Sequence, residues 1–129
     1  MSAQTAIVRG RRAAEALMVD TCTIRRRTGE TTDNDGNITP TFSTVHSGRC
    51  RMQQPNAQAR EQDVGEASLQ MLRFELQLPM SVVGVQPDDV VEMTDSLDPD
   101  LVVRQFVVRG LSHKTHAVMR RLQVEERTS

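Results

Sequence analysis

Between Leu72 and Leu78 the apolar residues Leu72, Phe74, Leu76 and Leu78 alternate with Arg73, Glu75 and Gln77. A period of two is the mark of a half-buried strand, because successive side chains of a strand point to opposite faces. Pro79 has no N–H for a sheet ladder and ends the run, and Pro87-Asp88-Asp89 and Asp98-Pro99-Asp100 supply turns on either side of the short apolar run Val90 to Met93. A further apolar strand is expected from Leu101 to Arg109. Strands this short, separated by turns this frequent, imply a small antiparallel barrel or sandwich.

The remainder of the chain fits the same architecture. Residues 3 to 19 read as a helix interrupted by Gly10, with Ala3, Ala6, Ile7, Ala13, Ala14, Leu17 and Met18 forming a loose apolar stripe. That stripe suits packing on the chain's own barrel or on a neighbouring subunit. Thr21 to Arg27 reads as the first strand and Thr28 to Pro40 as a loop dense in Gly, Asn and Asp. Phe42 to Gln53 is the returning strand, with a bulge expected near Ser47-Gly48. Val118 to Val124 closes the set. The expected fold class is therefore mainly β, a small antiparallel β-barrel or sandwich with one N-terminal α-helix and long loops. It forms one domain over residues 1–129, with the helix in 1–20, the barrel in 21–125 and a frayed tail in 126–129.

The core has to be largely aliphatic, since the chain has no Trp or Tyr and only Phe42, Phe74 and Phe106 as aromatic residues. Platforms that stack nucleic-acid bases on aromatic rings are disfavoured for the same reason. The two cysteines, Cys22 and Cys50, match neither a disulfide scaffold nor a zinc motif. They stand nearly symmetrically about Gly36, so a hairpin folded there brings them together on neighbouring strands as buried thiols. No secretory leader or membrane-spanning run is legible, and the chain is expected to be made in the cytoplasm.

Motifs that would carry chemistry fail one by one. Asp33, Asp35 and Asn37 begin like a calcium loop, but Ile38 stands where its glycine belongs and Thr44 where its bidentate glutamate belongs. Asp95, Asp98 and Asp100 are explained by Asx and proline turns. His113 and His116, three apart, fall on opposite faces of a strand, and His46 has no partner in sequence. No nucleophile elbow or phosphate-binding glycine loop occurs. The expectation is a protein that is not an enzyme, with no catalytic, cofactor-binding or metal-binding residues.

The net charge of -1 hides strong segregation. Residues 1–27 carry Arg9, Arg11, Arg12, Arg25, Arg26 and Arg27 against Glu15 and Asp20. Residues 80–100 carry Asp88, Asp89, Glu92, Asp95, Asp98 and Asp100 with no basic residue, and basic residues, Arg120 and Arg121 among them, dominate again from 101 onward. Either the blocks neutralise one another within one fold, or opposite patches meet between identical subunits in a head-to-tail ring. Under the second reading the interface candidates are Arg9, Arg11, Arg12, Asp88, Asp89, Asp95, Asp98, Asp100, Arg120 and Arg121.

Taken in order, Met18-Val19-Asp20-Thr21-Cys22-Thr23-Ile24, Ser47-Gly48-Arg49-Cys50-Arg51, Leu78-Pro79, Asp89-Val90-Val91-Glu92-Met93-Thr94, Asp98-Pro99-Asp100-Leu101 and Arg104-Gln105-Phe106-Val107-Val108 give the chain a pattern. It resembles the head-closure, or stopper, proteins of long-tailed bacteriophages, in the form found in actinobacterial phages and prophages. Pro87-Asp88-Asp89 departs from the family's Gly-Asp turn but preserves a turn there. The resemblance implies a small β-barrel in a homo-oligomeric ring of six or twelve copies at the virion neck, below the portal and head-tail adaptor. Such a ring closes the channel on packaged double-stranded DNA, without sequence-specific binding, and docks the tail terminator or tail tube. It also implies a channel-closing loop after the second strand. Here that is Pro55 to Ala67, long and polar, with Arg60, Glu61, Gln62, Asp63 and Glu66 as its candidate residues. A tail terminator or other tail-completion ring is the alternative, and a small nucleic-acid-binding barrel the more distant one.

Overall fold

The computed structural model describes residues 2–54 and 73–127. Helix α1 spans Ala3–Ala16 and six strands follow: β1 Asp20–Thr32, β2 Ile38–Gln53, β3 Arg73–Leu78, β4 Val90–Asp95, β5 Gln105–Ser112 and β6 Arg120–Glu126. A 3-10 turn, Pro99–Leu101, separates β4 from β5. The strands close into a barrel in the order β1-β2-β3-β6-β5-β4, every pair antiparallel, with β4 returning to β1. Closure removes the free edges that an open sheet of short strands would present. The mainly β fold with one N-terminal helix is the class the residue patterns imply.

The period-two pattern becomes the barrel interior. Cys22 and Ile24 of β1, Cys50 of β2, Leu76 and Leu78 of β3, Val91 and Met93 of β4, Phe106 and Val108 of β5, and Leu122 and Val124 of β6 are all buried. Phe106 is the largest side chain in this cluster and meets Phe74 edge-to-face, with ring centroids 5.3 Å apart. Cys22 and Cys50 are free thiols on adjacent strands, offset because Cys22 lies opposite Gly48 and Cys50 opposite Asp20. A hydrogen bond with Cys22, reinforced by burial, pushes the Cys50 thiol well above its ordinary pKa.

Several details differ from the expected ones. The first hairpin is much longer: β1 and β2 stay paired from Asp20↔Cys50 out to Thr32↔Ile38, so Thr28 to Thr32 and Ile38 to Pro40 are strand, and only the turn around Asp33 to Asn37 is loop. The ribbon's residues read as loop because neither of its faces is buried within the chain. The bulge expected near Ser47-Gly48 falls two residues away, at Val45, the extra residue of β2 between the pairs Ile24↔His46 and Arg25↔Thr44, and a second shift makes Thr28 the extra residue of β1 where the ribbon leaves the barrel. Bulges at this position increase twist and redirect the strands. Leu101 to Val103 are not strand but complete the turn after Asp98, whose side chain accepts from the Asp100 N–H at 3.0 Å, and β5 begins only at Gln105. At the C-terminus β6 runs from Arg120 through Glu126, because Glu125 and Glu126 pair with Val107 and Phe106 and receive Arg109 and Arg104 in ion pairs. Glu126, expected in a frayed tail over 126–129, is therefore strand, and residues 128–129 of that tail lie outside the described residues.

Helix α1 ends at Ala16 and contributes one buried residue, Ala14. Ser2 caps its start by accepting from the Thr5 N–H. It rests on its own chain at the loop before β6: a Cβ placed on Gly10 would lie 2.6 Å from Val118 Cγ1, and Arg11 Nε donates to the Ala117 carbonyl. Gly10 thus interrupts the helical pattern to permit this close approach.

Candidate functional site

The register fixes two ends of the barrel. Asp20, Gln53, Arg73, Asp95, Gln105 and Glu126 mark one end, and Arg26, Leu78, Val90, Ser112 and Arg120 mark the other. At the second end the segment from Pro79 to Asp89 crosses the barrel mouth, with Val82 buried in the core cluster and Val85 packed against it. Little of this segment is regular structure, so its backbone needs other partners. Two arginines supply them. Arg120 donates to the carbonyls of Val82 at 2.9 Å and Met80 at 3.2 Å, and Arg26 Nη2 donates to the Gly84 carbonyl.

The second anchor is Asp89, whose side chain is only 2% exposed. Its two oxygens receive Arg26 Nε and Nη2, each at 3.0 Å, and Oδ2 also accepts from the Gln86 N–H at 2.8 Å. This fork-to-fork geometry is the strong form of a charged hydrogen bond. It holds the Arg26 guanidinium above its ordinary pKa, first through the hydrogen bond and then against the desolvation that opposes it. Further along the outer wall Arg25 pairs with Glu92, and Arg109 with Asp88 and Glu125.

These contacts place the sequence candidates. Asp88, Asp89 and Glu92 of the acidic block meet Arg109, Arg26 and Arg25 within one subunit, which is the arrangement where the blocks neutralise each other inside one fold. Asp89 is thereby withdrawn from any interface, and Arg120 is committed to the carbonyls of the capping segment. Arg121 lies 3.6 Å from Glu75, Asp98 caps its own turn, and Arg11 is turned toward Ala117. Arg9, Arg12, Asp95 and Asp100 are exposed. Arg60, Glu61, Gln62, Asp63 and Glu66 lie outside the described residues. His113 borders an open depression of about 380 Å³ together with Ser112, Lys114 and Met119, whereas His116 sits in a left-handed turn at φ 62°. Among the described residues no group of three or more His, Cys, Asp or Glu is arranged to hold a metal ion.

The hairpin's turn at Gly36 is legible in the sequence, but the paired arm that leads to it is not. Beyond Arg26 the β1–β2 hairpin projects from the capped end, and residues 27 to 40 are all exposed. Its order comes from its own hydrogen bonds. Thr28 Oγ1 meets Thr41 Oγ1 at 3.1 Å, and Thr31 Oγ1 donates to the Thr39 carbonyl. At the tip Asp33 Oδ1 accepts from the N–H groups of Asp35 and Asn37 at 2.9 and 2.8 Å, while Gly36 takes φ 82°. The hydrogen bond from the Asn37 N–H leads the group of donors that hold the Asp33 carboxyl below the usual carboxylate pKa. The signal was available as alternating Thr and apolar residues from Thr39 to Phe42, masked by the Gly, Asn and Asp around them.

Fold and site together define a small antiparallel barrel protein with one mouth capped by arginine-held backbone and an exposed ribbon standing out from that end. The chain belongs to a family of unknown function, DUF6093, whose model matches residues 10–125. In fold it is similar to the solution structure of protein SF1141 from Shigella flexneri 2a, with a TM-score of 0.57 at 12% identity, covering 84% of this chain and 92% of that one. No curated protein matches the chain in sequence.

Proposed function

We propose that this protein is a structural component of the bacteriophage head-to-tail connector, a head-closure protein that forms a ring below the portal and adaptor, retains packaged DNA and docks the tail. The observation that carries the reading is the closed barrel with an exposed ribbon at one end and, from the opposite end, a 19-residue connection between β2 and β3. The order of helix, hairpin, connection and return strands is the one the family resemblance implies. A barrel of this kind supplies a rigid wall, and its connections are free to face a channel or a partner. Segments 55–67 carry Glu61, Asp63 and Glu66 against Arg60, so a channel lined by them repels phosphate and lets DNA slide, where a basic lining would hold it by counterion release.

The test is deletion of the gene from a phage or prophage that carries it. The proposal expects filled heads that lose their DNA and lack tails, with restoration when the chain is supplied in trans. Heads that keep their DNA while tails grow to irregular length would instead assign the chain to tail termination.

A further inference from the structure

We propose that the β1–β2 arm is the subunit-joining element of this protein, and that it docks on the outer face of β2 and β3 in a second copy of the same chain. The inference rests on the self-assembly part of the head-closure reading and names the surfaces that would join.

One face of the arm carries Ile38, Pro40 and Phe42, alternate residues of β2 that share a side, with Ile38 63% and Phe42 43% exposed. A two-stranded ribbon with no third layer is at best marginally stable in water, so an apolar stripe on its face is matched to a surface that covers it. The Asp33 turn and the threonine hydrogen bonds build the arm in advance, which lowers the ordering cost of docking.

Charge selects the occupant. The arm's outer half carries Glu30, Asp33 and Asp35, with Glu30 bridged to Arg27. On the barrel, Arg49 and Arg51 of β2 and Arg73 of β3 alternate with the inward-facing Cys50 and Phe74 and so face outward. None of the three forms an ion pair among the described residues. Arg49 lies opposite Thr21, near the end of the barrel remote from the arm. From Thr21 to the arm's tip at Asp33 the strand covers about 40 Å at ~3.3 Å per residue. The acidic tip and the basic face of one chain therefore cannot meet, whereas those of successive copies can. Joining unlike surfaces is a heterologous contact, which closes a ring when the rotation per copy allows it.

The full-length chain is examined by sedimentation velocity from micromolar to millimolar concentration, with chemical-shift mapping of the barrel as the check on folding. The unaltered chain is expected to form a defined oligomer. Ile38→Thr with Phe42→Thr should raise the concentration needed for assembly at least tenfold while the barrel resonances stay in place. Glu30→Arg with Asp35→Arg should weaken assembly, as should Arg49→Glu with Arg51→Glu, and combining the two reversals should recover it. Monomer at every concentration, unchanged assembly of the Thr variant, or no recovery in the combined reversal would overturn the proposal. The head-closure reading is judged separately, by DNA retention in particles. Arm variants that assemble normally would remove this inference and leave that reading standing.

Discussion

Replacing Arg26 with Met leaves the Asp89 carboxylate in its site with only the Gln86 N–H as a donor, since both bonds from the guanidinium are lost. Removing one partner of a buried ion pair typically costs about 3–5 kcal/mol. The lower end applies, about 3 kcal/mol, because Arg26 itself is a third exposed and water reaches the vacated position. The reverse replacement, Asp89→Asn, removes the buried charge, keeps one acceptor and leaves a guanidinium that solvent can reach, so its cost is about 1–2 kcal/mol. If the two act through each other, the double variant should lose about 2 kcal/mol less than the sum of the singles. Urea unfolding followed by far-ultraviolet circular dichroism reads this directly. With a slope of about 1.5 kcal/mol/M, Arg26→Met should lower the midpoint by about 2 M. A loss below about 0.5 M for Arg26→Met, or additive losses in the double variant, would refute the buried pair as the anchor of the capping segment.

Further outcomes follow from single positions. Gly10→Ala should destabilise the unaltered chain, because its Cβ would meet Val118 Cγ1, but in a Val118→Ala background it should stabilise by about 0.5–1 kcal/mol through helix propensity, read as a reversal in the shift of Tm. Val103 holds φ 64° while 73% exposed, so Val103→Asn relieves a β-branched residue in the left-handed region at no packing cost and should raise stability by about 1 kcal/mol in the same assay. Asp33 has a depressed carboxyl pKa, so the tip's stabilisation is full above the unfolded-state value and is lost as pH falls through the folded one. Amide exchange at Asp35 and Asn37 should stay slow on acidification past the ordinary carboxylate range and quicken only below it. Cys22 and Cys50 are fully buried, and both should resist a thiol-specific reagent in the folded protein and react together on unfolding; prompt reaction of either would mean that the β1–β2 wall opens locally.

What could be read in the sequence was whatever burial imposes on it. Leu76 and Leu78, Val91 and Met93, and Leu122 and Val124 stand two apart because one face of each strand lines the barrel, and the alternation identified these strands to within a few residues. The arm obeys no such rule. Its residues face water on both sides, so composition there reports turn chemistry and solubility rather than pairing, and Thr28 to Pro40 passes for loop. The Arg26–Asp89 anchor was illegible for another reason: 63 residues separate its members, and charge blocks along a chain show that opposite charges exist without showing which ones meet. The segregated charge was visible, but its partition between contacts within a subunit, such as Arg109 with Asp88, and surfaces left over, such as Arg49 and Arg73, depends on barrel closure.

The claim that organises the account is that this barrel sits as a ring at the junction of head and tail. Cryo-electron microscopy of particles from a phage or prophage carrying the gene, with and without the chain, addresses it most directly. The account predicts six or twelve copies of the barrel in a closed ring between adaptor and tail, each arm lying on the β2–β3 face of the next copy, and no such density when the chain is missing. Particles that lack the chain altogether, or that carry it away from the neck, would contradict it.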